Sequence, residues 1–382
     1  MSTTTTTTTA PKTKPPASEE SKVEADAYVH YHDGGVPGKR RILTGADARP
    51  TFTELPRIDM RRMFSSSLAD RQELAGEIGA ACRDVGFFFA VNHGVDDAVL
   101  DSTFEAMEKF FDLPTEVKME THNKKSAKFR GYEAFLEGRL DPSTRGDLKE
   151  GFLMGEDATD PEQARPLTPS TSTPRNQWPT HPSATFFRPA IYAYYTAMLT
   201  FSKQLLSIFA LALELPEDYF SAISTYPMTN VRAVHYPPQT RDADVGIGAH
   251  TDFCWFTLVV QSATARPALE VLNGNGVWVP VVVPEPHAFV VNIGDFLKLV
   301  TGGTWQSTVH RVRNMGGEER YSVPFFFSPN EDGRVAVLER FRTRGQTYDE
   351  ITVGEYFQKR LDIDRTTHLD KGPEKTKAGG TY

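Results

Sequence analysis

The chain has 382 residues, 39% of them hydrophobic and 24% charged, which is ordinary globular usage and enough to bury a sizeable core. Its net charge of −8 gives no broad positive field, which argues against nucleic acid or anionic lipid as a partner. Two cysteines, Cys82 and Cys254, cannot build a disulfide framework or a thiolate zinc finger. No apolar run reaches membrane-spanning length, and residues 1–9 lack the apolar core of a signal peptide, so a soluble cytoplasmic protein is expected.

Residues 1–25 are rich in Thr, Pro, Lys and Ser and nearly free of large apolar side chains, the composition of a disordered tail. Residues 26–54 read as a loop-like extension; His30 and His32 are spaced as alternate strand residues but have no third ligand nearby. A region over 55–225 follows. Leu74, Ile78, Ala81, Cys82 and Val85 recur at helical spacing, and Gly86 stands where that helix would end. After the Asn92-His93-Gly94 turn, Asp96 is placed to cap a second helix with an apolar stripe of Leu100, Phe104, Met107 and Phe111. His93 is read as a local hydrogen-bonding residue of the turn. Residues 118–176 are polar and broken by Gly and Pro, which predicts loops over a site, with the Ser/Thr/Pro-rich 161–174 stretch mobile. Residues 183–215 predict one long helix with Pro189 near its start and Pro216 just beyond its end.

From 226 to 331 the pattern changes to short β-rich runs: 231–236, 245–260, 269–272, 277–283, 288–292, 304–312 and 320–327. Asn273-Gly274-Asn275-Gly276 is a strong hairpin turn, and many short strands imply a closed or double-sheet architecture. Within the 245–260 run, His250 and Asp252 are two residues apart and so share a strand face; His310 lies in a later run. Two imidazoles and one carboxylate on one side of a divalent first-row metal leave the other side open, the arrangement of non-haem Fe(II) oxygenases. Arg320 can grip a carboxylate bidentately, and Ser322, on the same face, can add a hydroxyl hydrogen bond. Singly, these residues have blander roles: a core histidine, a turn aspartate, a surface arginine paired with Glu318 or Glu319. Their conjunction favours the site. Residues 332–382 read as a C-terminal segment with a mobile end.

His250-x-Asp252, His310 and Arg320-x-Ser322, in that order, resemble the signature of the Fe(II)/2-oxoglutarate-dependent dioxygenases. The branch most resembled includes isopenicillin N synthase and the plant flavonoid and hormone oxygenases. Gly86–Val95, Lys109–Pro114, Arg130-Gly131-Tyr132, Lys149–Phe152, His235–Pro238 and Asn292–Asp295 fit the same family in order, so the resemblance spans roughly 55–330. It implies a mainly β protein with flanking helices: a double-stranded β-helix (jelly roll) core, with a helical N-terminal region and the metal inside one open end. It implies Fe(II) on His250, Asp252 and His310, 2-oxoglutarate as co-substrate with its distal carboxylate on Arg320 and Ser322 and a contact to Tyr236, and O2 as oxidant. Val234 stands where the family has the asparagine of an Asn-x-Tyr element, a departure that puts part of the co-substrate contact in doubt.

Continuing the strand period from Ser322, Phe326 is expected to floor the substrate pocket. Tyr132, Phe135 and Phe152 are expected to wall it and Cys254 to face it, with core packing as the alternative for each ring and a small buried filler as the alternative for Cys254. The implied activity is oxidation of a small molecule, apolar or aromatic, in secondary metabolism, by hydroxylation, desaturation or ring rearrangement. Three alternatives use the same residues. In an isopenicillin N synthase-like oxidase, Arg-x-Ser would hold the substrate's own carboxylate and no 2-oxoglutarate would be needed. The others are a non-catalytic small-molecule-binding protein and a zinc or manganese hydrolase. Substrate identity and oligomeric state are not legible in the sequence.

Overall fold

The computed structural model describes residues 27–33, 36–140, 144–160, 163, 175–241 and 243–369. The expected tail over 1–25, the 161–174 stretch apart from Gln163, and the C-terminal end beyond 369 lie outside the described residues. The strands are β1 (Tyr28–Asp33), β2 (Val36–Arg41), β3 (Arg57–Asp59), β4 (Phe87–Val91), β5 (Gly131–Glu133), β6 (Glu150–Gly155), β7 (Met228–Tyr236) and β8 (Ile247–His250). They continue with β9 (Phe256–Gln261), β10 (Leu269–Leu272), β11 (Trp278–Pro280), β12 (Phe289–Ile293), β13 (His310–Val312) and β14 (Arg320–Ser328), then a small separate pair over 334–335 and 351–352. The helices that matter here are α1 (Leu68–Asp84), α2 (Asp97–Phe111), α3 (Thr115–Met119), α4 (Phe187–Ala212) and α5 (Asp295–Val300).

Eight strands form one sheet in the order β3-β4-β12-β9-β14-β7-β6-β5, and six form the other in the order β11-β10-β13-β8-β1-β2. Val234, Tyr236, Val259 and Val290 of the first sheet and Leu269, Val271 and Val312 of the second share one buried apolar cluster between the sheets. The helices cover the other face of the larger sheet: Ile191, Tyr194, Met198, Leu205, Ile208 and Phe209 of α4 enter its cluster with Leu258, Val323, Phe325 and Phe327. Tyr194 Oη donates to the carbonyl of Val323 at 2.6 Å, which satisfies the hydroxyl of a buried ring.

Local signals explain several boundaries. Ser67 and Asp96 cap α1 and α2, accepting from the backbone of Asp70 and Ala98. Pro189 lies in the first turn of α4, where a missing N–H costs no intrahelical bond. Gly86, at φ +75, turns the chain from α1 into β4, and a Cβ there would lie 2.2 Å from the Gln306 carbonyl oxygen; only glycine fits. The Asn273–Gly276 turn joins β10 to β11 as expected.

Three expectations need correction. The 245–260 run is not one strand: β8 ends at His250 and β9 begins at Phe256 in the other sheet, so Asp252 sits in a connecting loop. The loop's backbone groups bond outside any ladder. Thr251 N donates to His32, Asp295 N to the Asp252 carbonyl at 2.7 Å, and Gly294 N to the Trp255 carbonyl at 2.8 Å. Residues 26–54 are not all loop either, because β1 and β2 form a hairpin and β1 runs parallel to β8 with His32 opposite His250. Within 118–176, β5 and β6 are strands that extend the larger sheet rather than loops.

The loop that carries Asp252 packs directly on Gly294, where a Cβ would meet the Cys254 carbonyl oxygen at 2.0 Å and the Asp252 carbonyl oxygen at 3.1 Å. Both neighbours are backbone and cannot rotate away. Gly294→Ala should therefore destabilise the fold by roughly 1–3 kcal/mol and displace Asp252; denaturant unfolding and a metal titration of the same variant check the two effects.

Candidate active site

Three side chains from separate stretches converge at one end of the space between the sheets. His250 closes β8 and His310 opens β13, and the two are register partners on adjacent antiparallel strands, with ring centroids 4.3 Å apart. Asp252, in the loop after β8, places Oδ1 3.6 Å from His250 Nε2 and 3.8 Å from His310 Nε2. One donor atom from each residue lies within 4.8 Å of the other two, a spacing that suits shared coordination to one ion.

The surrounding hydrogen bonds decide which atoms remain for a ligand. His250 Nδ1 lies 2.8 Å from the Gly248 carbonyl and His310 Nδ1 3.2 Å from that of Thr308; a carbonyl only accepts, so each Nδ1 carries the proton and each Nε2 keeps its lone pair. Asp252 Oδ2 accepts from Thr257 Oγ1 at 2.5 Å and from Asn292 Nδ2 at 2.8 Å, leaving Oδ1 toward the imidazoles. Burial, with His310 adding to it, pushes His250 down to about 4, so the ring is neutral at physiological pH, as a metal ligand must be. Burial alone would raise Asp252, but the two imidazoles and the bonds from Thr257 and Asn292 outweigh it and hold the carboxyl below its usual value. This donor set, two neutral nitrogens and one carboxylate on one side, fits an octahedral divalent metal with open positions.

Arg320 opens β14 opposite Tyr236 at the end of β7, and its guanidinium stacks 4.8 Å above the Tyr236 ring. Only 1% of the residue is exposed. Nη2 donates to Gln261 Oε1 at 2.6 Å, while Nε and Nη1 are buried with no partner among the described residues. A buried guanidinium with two unpaired nitrogens is costly unless an anion arrives. Ser322 and Tyr236 line the same cavity, which also contains the triad. The donors and the cavity thus fit a carboxylate there.

Residues 55–181 match the N-terminal family model described as non-haem dioxygenase in morphine synthesis, and residues 227–329 match the 2OG-Fe(II) oxygenase superfamily. The 2-oxoglutarate-Fe(II) type oxidoreductase ppzC of Metarhizium rileyi is 34% identical over 86% of this chain and 92% of its own length. The chain belongs to the 2OG-Fe(II) oxygenase superfamily. Among solved structures, T7H of Neurospora crassa in complex with alpha-KG and thymine superposes with a TM-score of 0.69 at 22% identity, covering 87% of this chain and 100% of that one. JOX2 in complex with 2OG, Fe and JA gives 0.65 at 25%, covering 85% and 88%. The two facing sheets are the jelly-roll core of this superfamily, and the oxygenase is a 2-oxoglutarate-dependent dioxygenase that uses Fe(II).

Of the substrate residues expected from the sequence, Phe326 lines the cavity and four do not. Tyr132 is buried in the helical core, its hydroxyl donating to Glu150 Oε2 at 2.6 Å. Phe152 packs among Phe110, Trp178 and Phe187. Phe135 lies edge-on to His235 at the surface, and Cys254 is buried with Sγ 3.3 Å from the Phe256 carbonyl and from Thr257 Oγ1. β5 and β6 belong to the sheet, so their aromatic residues follow its packing rather than walling a pocket. Asn292, Thr257, Gln261, Lys149 and Arg232 reach the site without having been singled out from the sequence. Asn292 and Lys149 stood inside quoted motifs, but nothing in a one-dimensional pattern says that Asn292 pairs across the sheet with Thr257. His93 keeps a local role, accepting from Val95 N and stacking on Phe289. A larger open groove beside it, between α2 and α4, holds no comparable donor set.

Since Asn292 and Thr257 fix the carboxylate that the imidazoles face, Asn292→Ala should weaken Fe(II) binding by about 10–100-fold while leaving the strand pairing of β12 intact. Metal titration against the melting temperature of the metal-free variant separates the two.

Proposed function

We propose that His250 and His310 through Nε2 and Asp252 through Oδ1 hold Fe(II), and that Arg320, helped by Ser322 and Tyr236, receives the distal carboxylate of 2-oxoglutarate. One observation carries the reading: Arg320, whose guanidinium has two buried nitrogens with no partner among the described residues, lines the cavity that also contains the triad. Bound there, the iron supplies O2 chemistry that couples decarboxylation of 2-oxoglutarate to succinate and CO2 with two-electron oxidation of a substrate.

The chain's own contribution is placement. Thr257 and Asn292 hold Asp252 in one orientation, the Gly248 and Thr308 carbonyls fix both imidazole tautomers, and Gln261 and the Tyr236 ring fix the Arg320 guanidinium. Val234, in the asparagine position of the family's Asn-x-Tyr element, contributes an apolar wall instead of an amide. The co-substrate grip thus falls on Arg320, Ser322 and Tyr236. Phe87, Val259, Leu269, Pro324 and Phe326 make most of the remaining lining apolar, which suits a small molecule with an apolar body, in keeping with a role in secondary metabolism. The solved neighbours were captured with thymine and with JA, both small molecules.

His310→Ala should abolish Fe(II) retention, and Arg320→Ala should weaken 2-oxoglutarate binding by about 10–100-fold because a charge-assisted contact is lost. Arg320→Lys should recover only part of it, since an ammonium lacks the planar fork. Anaerobic titration of 2-oxoglutarate into the Fe(II) protein measures both; unchanged affinity in Arg320→Ala removes the assignment. Succinate release under O2 distinguishes this chemistry from an oxidase that needs no 2-oxoglutarate.

A further inference from the structure

We propose that Arg232 and Lys149 form a second anion subsite in the same cavity, which receives a carboxylate of the molecule being oxidised. The inference rests on the proposed function above and adds the chemical class of the substrate.

Arg232 lies in β7 two residues before Val234 and four before Tyr236, so strand alternation turns all three the same way, and all three line the cavity. Lys149 immediately precedes β6, the strand paired to β7. Its Nζ donates to Glu133 Oε2 at 2.9 Å and lies 3.9 Å from Asp147 Oδ2. Arg232 Nη2 donates to the same Glu133 oxygen. Asp147 Oδ1 accepts from Gly248 N at 3.4 Å, which ties this group to the strand that carries His250.

The cluster is asymmetric toward the cavity. Of its four charged side chains, the two cations line the cavity, whereas Glu133 and Asp147 do not. The two cations lean on a single Glu133 oxygen, and Arg232 makes its hydrogen bond through Nη2 alone, so Nε and Nη1 have no acceptor among the described residues. Lys149 is almost wholly buried and the Arg232 side chain is 29% exposed, so Arg232 is the cation within reach of an incoming group. Glu133 stays ionised: burial opposes it, but Arg232 and Lys149 pull its carboxyl down to about 2.

This subsite is built on a different stretch of β7 from the one assigned to 2-oxoglutarate. Tyr236 is the register partner of Arg320, and Arg232, four residues back along β7, stands about 13 Å along the strand from that position. The walls beside it are apolar, with Pro324 and Phe326 on the neighbouring strand and Phe87 and Val259 across the sheet. A molecule with an apolar body and an acid group is complementary to this surface. A carboxylate would pair with Arg232, with the Lys149 charge behind it, a neutral group would leave Arg232 nitrogens unpaired, and an ammonium would be repelled.

The test uses the full chain loaded anaerobically with Fe(II) and saturating 2-oxoglutarate, so that Arg320 is already occupied. Phenylacetate and octanoate are titrated against phenylacetamide and octanamide by calorimetry. The acids should bind more tightly than their amides by about tenfold or more, equivalent to about 1.4 kcal/mol. Arg232→Gln should erase that preference, Arg232→Lys should keep most of it, and Lys149→Met should reduce it, with 2-oxoglutarate affinity unchanged in all three. The Glu133→Gln/Arg232→Gln double variant removes both charges at once, so loss of preference there cannot come from a stranded buried carboxylate. Equal binding of acid and amide by the unmodified protein, no binding of either acid, or a preference that survives both Arg232→Gln and Lys149→Met overturns the subsite. Loss of 2-oxoglutarate binding by the unmodified protein overturns the proposed function on which it stands.

Discussion

Everything at this site depends on which lone pairs are left over after the protein has satisfied itself. Asp252 could turn either oxygen inward, and each imidazole could present either nitrogen. Two donors on Asp252 Oδ2 and one backbone carbonyl against each Nδ1 settle all three choices. The remaining Oδ1 and two Nε2 atoms then point at one another within 4.8 Å. A carboxylate oxygen and two imidazole nitrogens converging in this way form a donor set that gains from a divalent cation.

The framework tolerates that unspent capacity because it is braced on several sides. β8 is held between β13 and β1, so the strand end bearing His250 has hydrogen-bonded neighbours on both edges. Arg40 of β2 donates to the carbonyls of Leu272 and Asn273 at 2.9 and 3.0 Å, fastening the hairpin across the sheet to the β10–β11 turn. On the opposite side of the cavity, β9, β14 and β7 are central strands of the eight-stranded sheet, backed by the aromatic face of α4. Paired strands hold geometry better than loops, and only Asp252 among the three stands on a loop, which Gly294 and α5 pin by backbone hydrogen bonds.

Much of this was legible in the sequence, for reasons that also mark where legibility ended. Helices α1, α2 and α4 announced themselves through apolar periodicity and caps, and β7, β10, β12 and β14 through short β-branched and aromatic runs. The Arg320, Ser322, Phe326 series came directly from the period of two, since β14 is regular throughout. The same rule gave the wrong reason for His250 and Asp252. They come together because a loop folds back on Gly294, while the apolar character of Phe253 to Trp255, which suggested a continuous strand, reflects burial in a crossing between sheets. Tyr132 and Phe152 looked like pocket walls because aromatic residues in a polar stretch stand out; their strands turn those rings onto α2 and α4. Glu133, Lys149 and Arg232 lie 16 to 99 positions apart, and no local pattern joins them.

The two cationic positions divide the labour of the cavity by the partners they already have. Arg320 has a neutral companion, Gln261, and a ring beneath it, so its charge is uncompensated and buried, which suits an anion present in every turnover. Arg232 and Lys149 have Glu133 and Asp147 behind them, so their charge is largely balanced when the cavity holds no acid. A fully uncompensated second cation would compete for the dicarboxylate and allow it to bind the wrong way round. A partly neutralised pair at a distance along β7 attracts an acid group more weakly, and the two anions sort by strength of field before geometry is tested. The acid that binds second can then be the one whose apolar body fits beside Pro324 and Phe326.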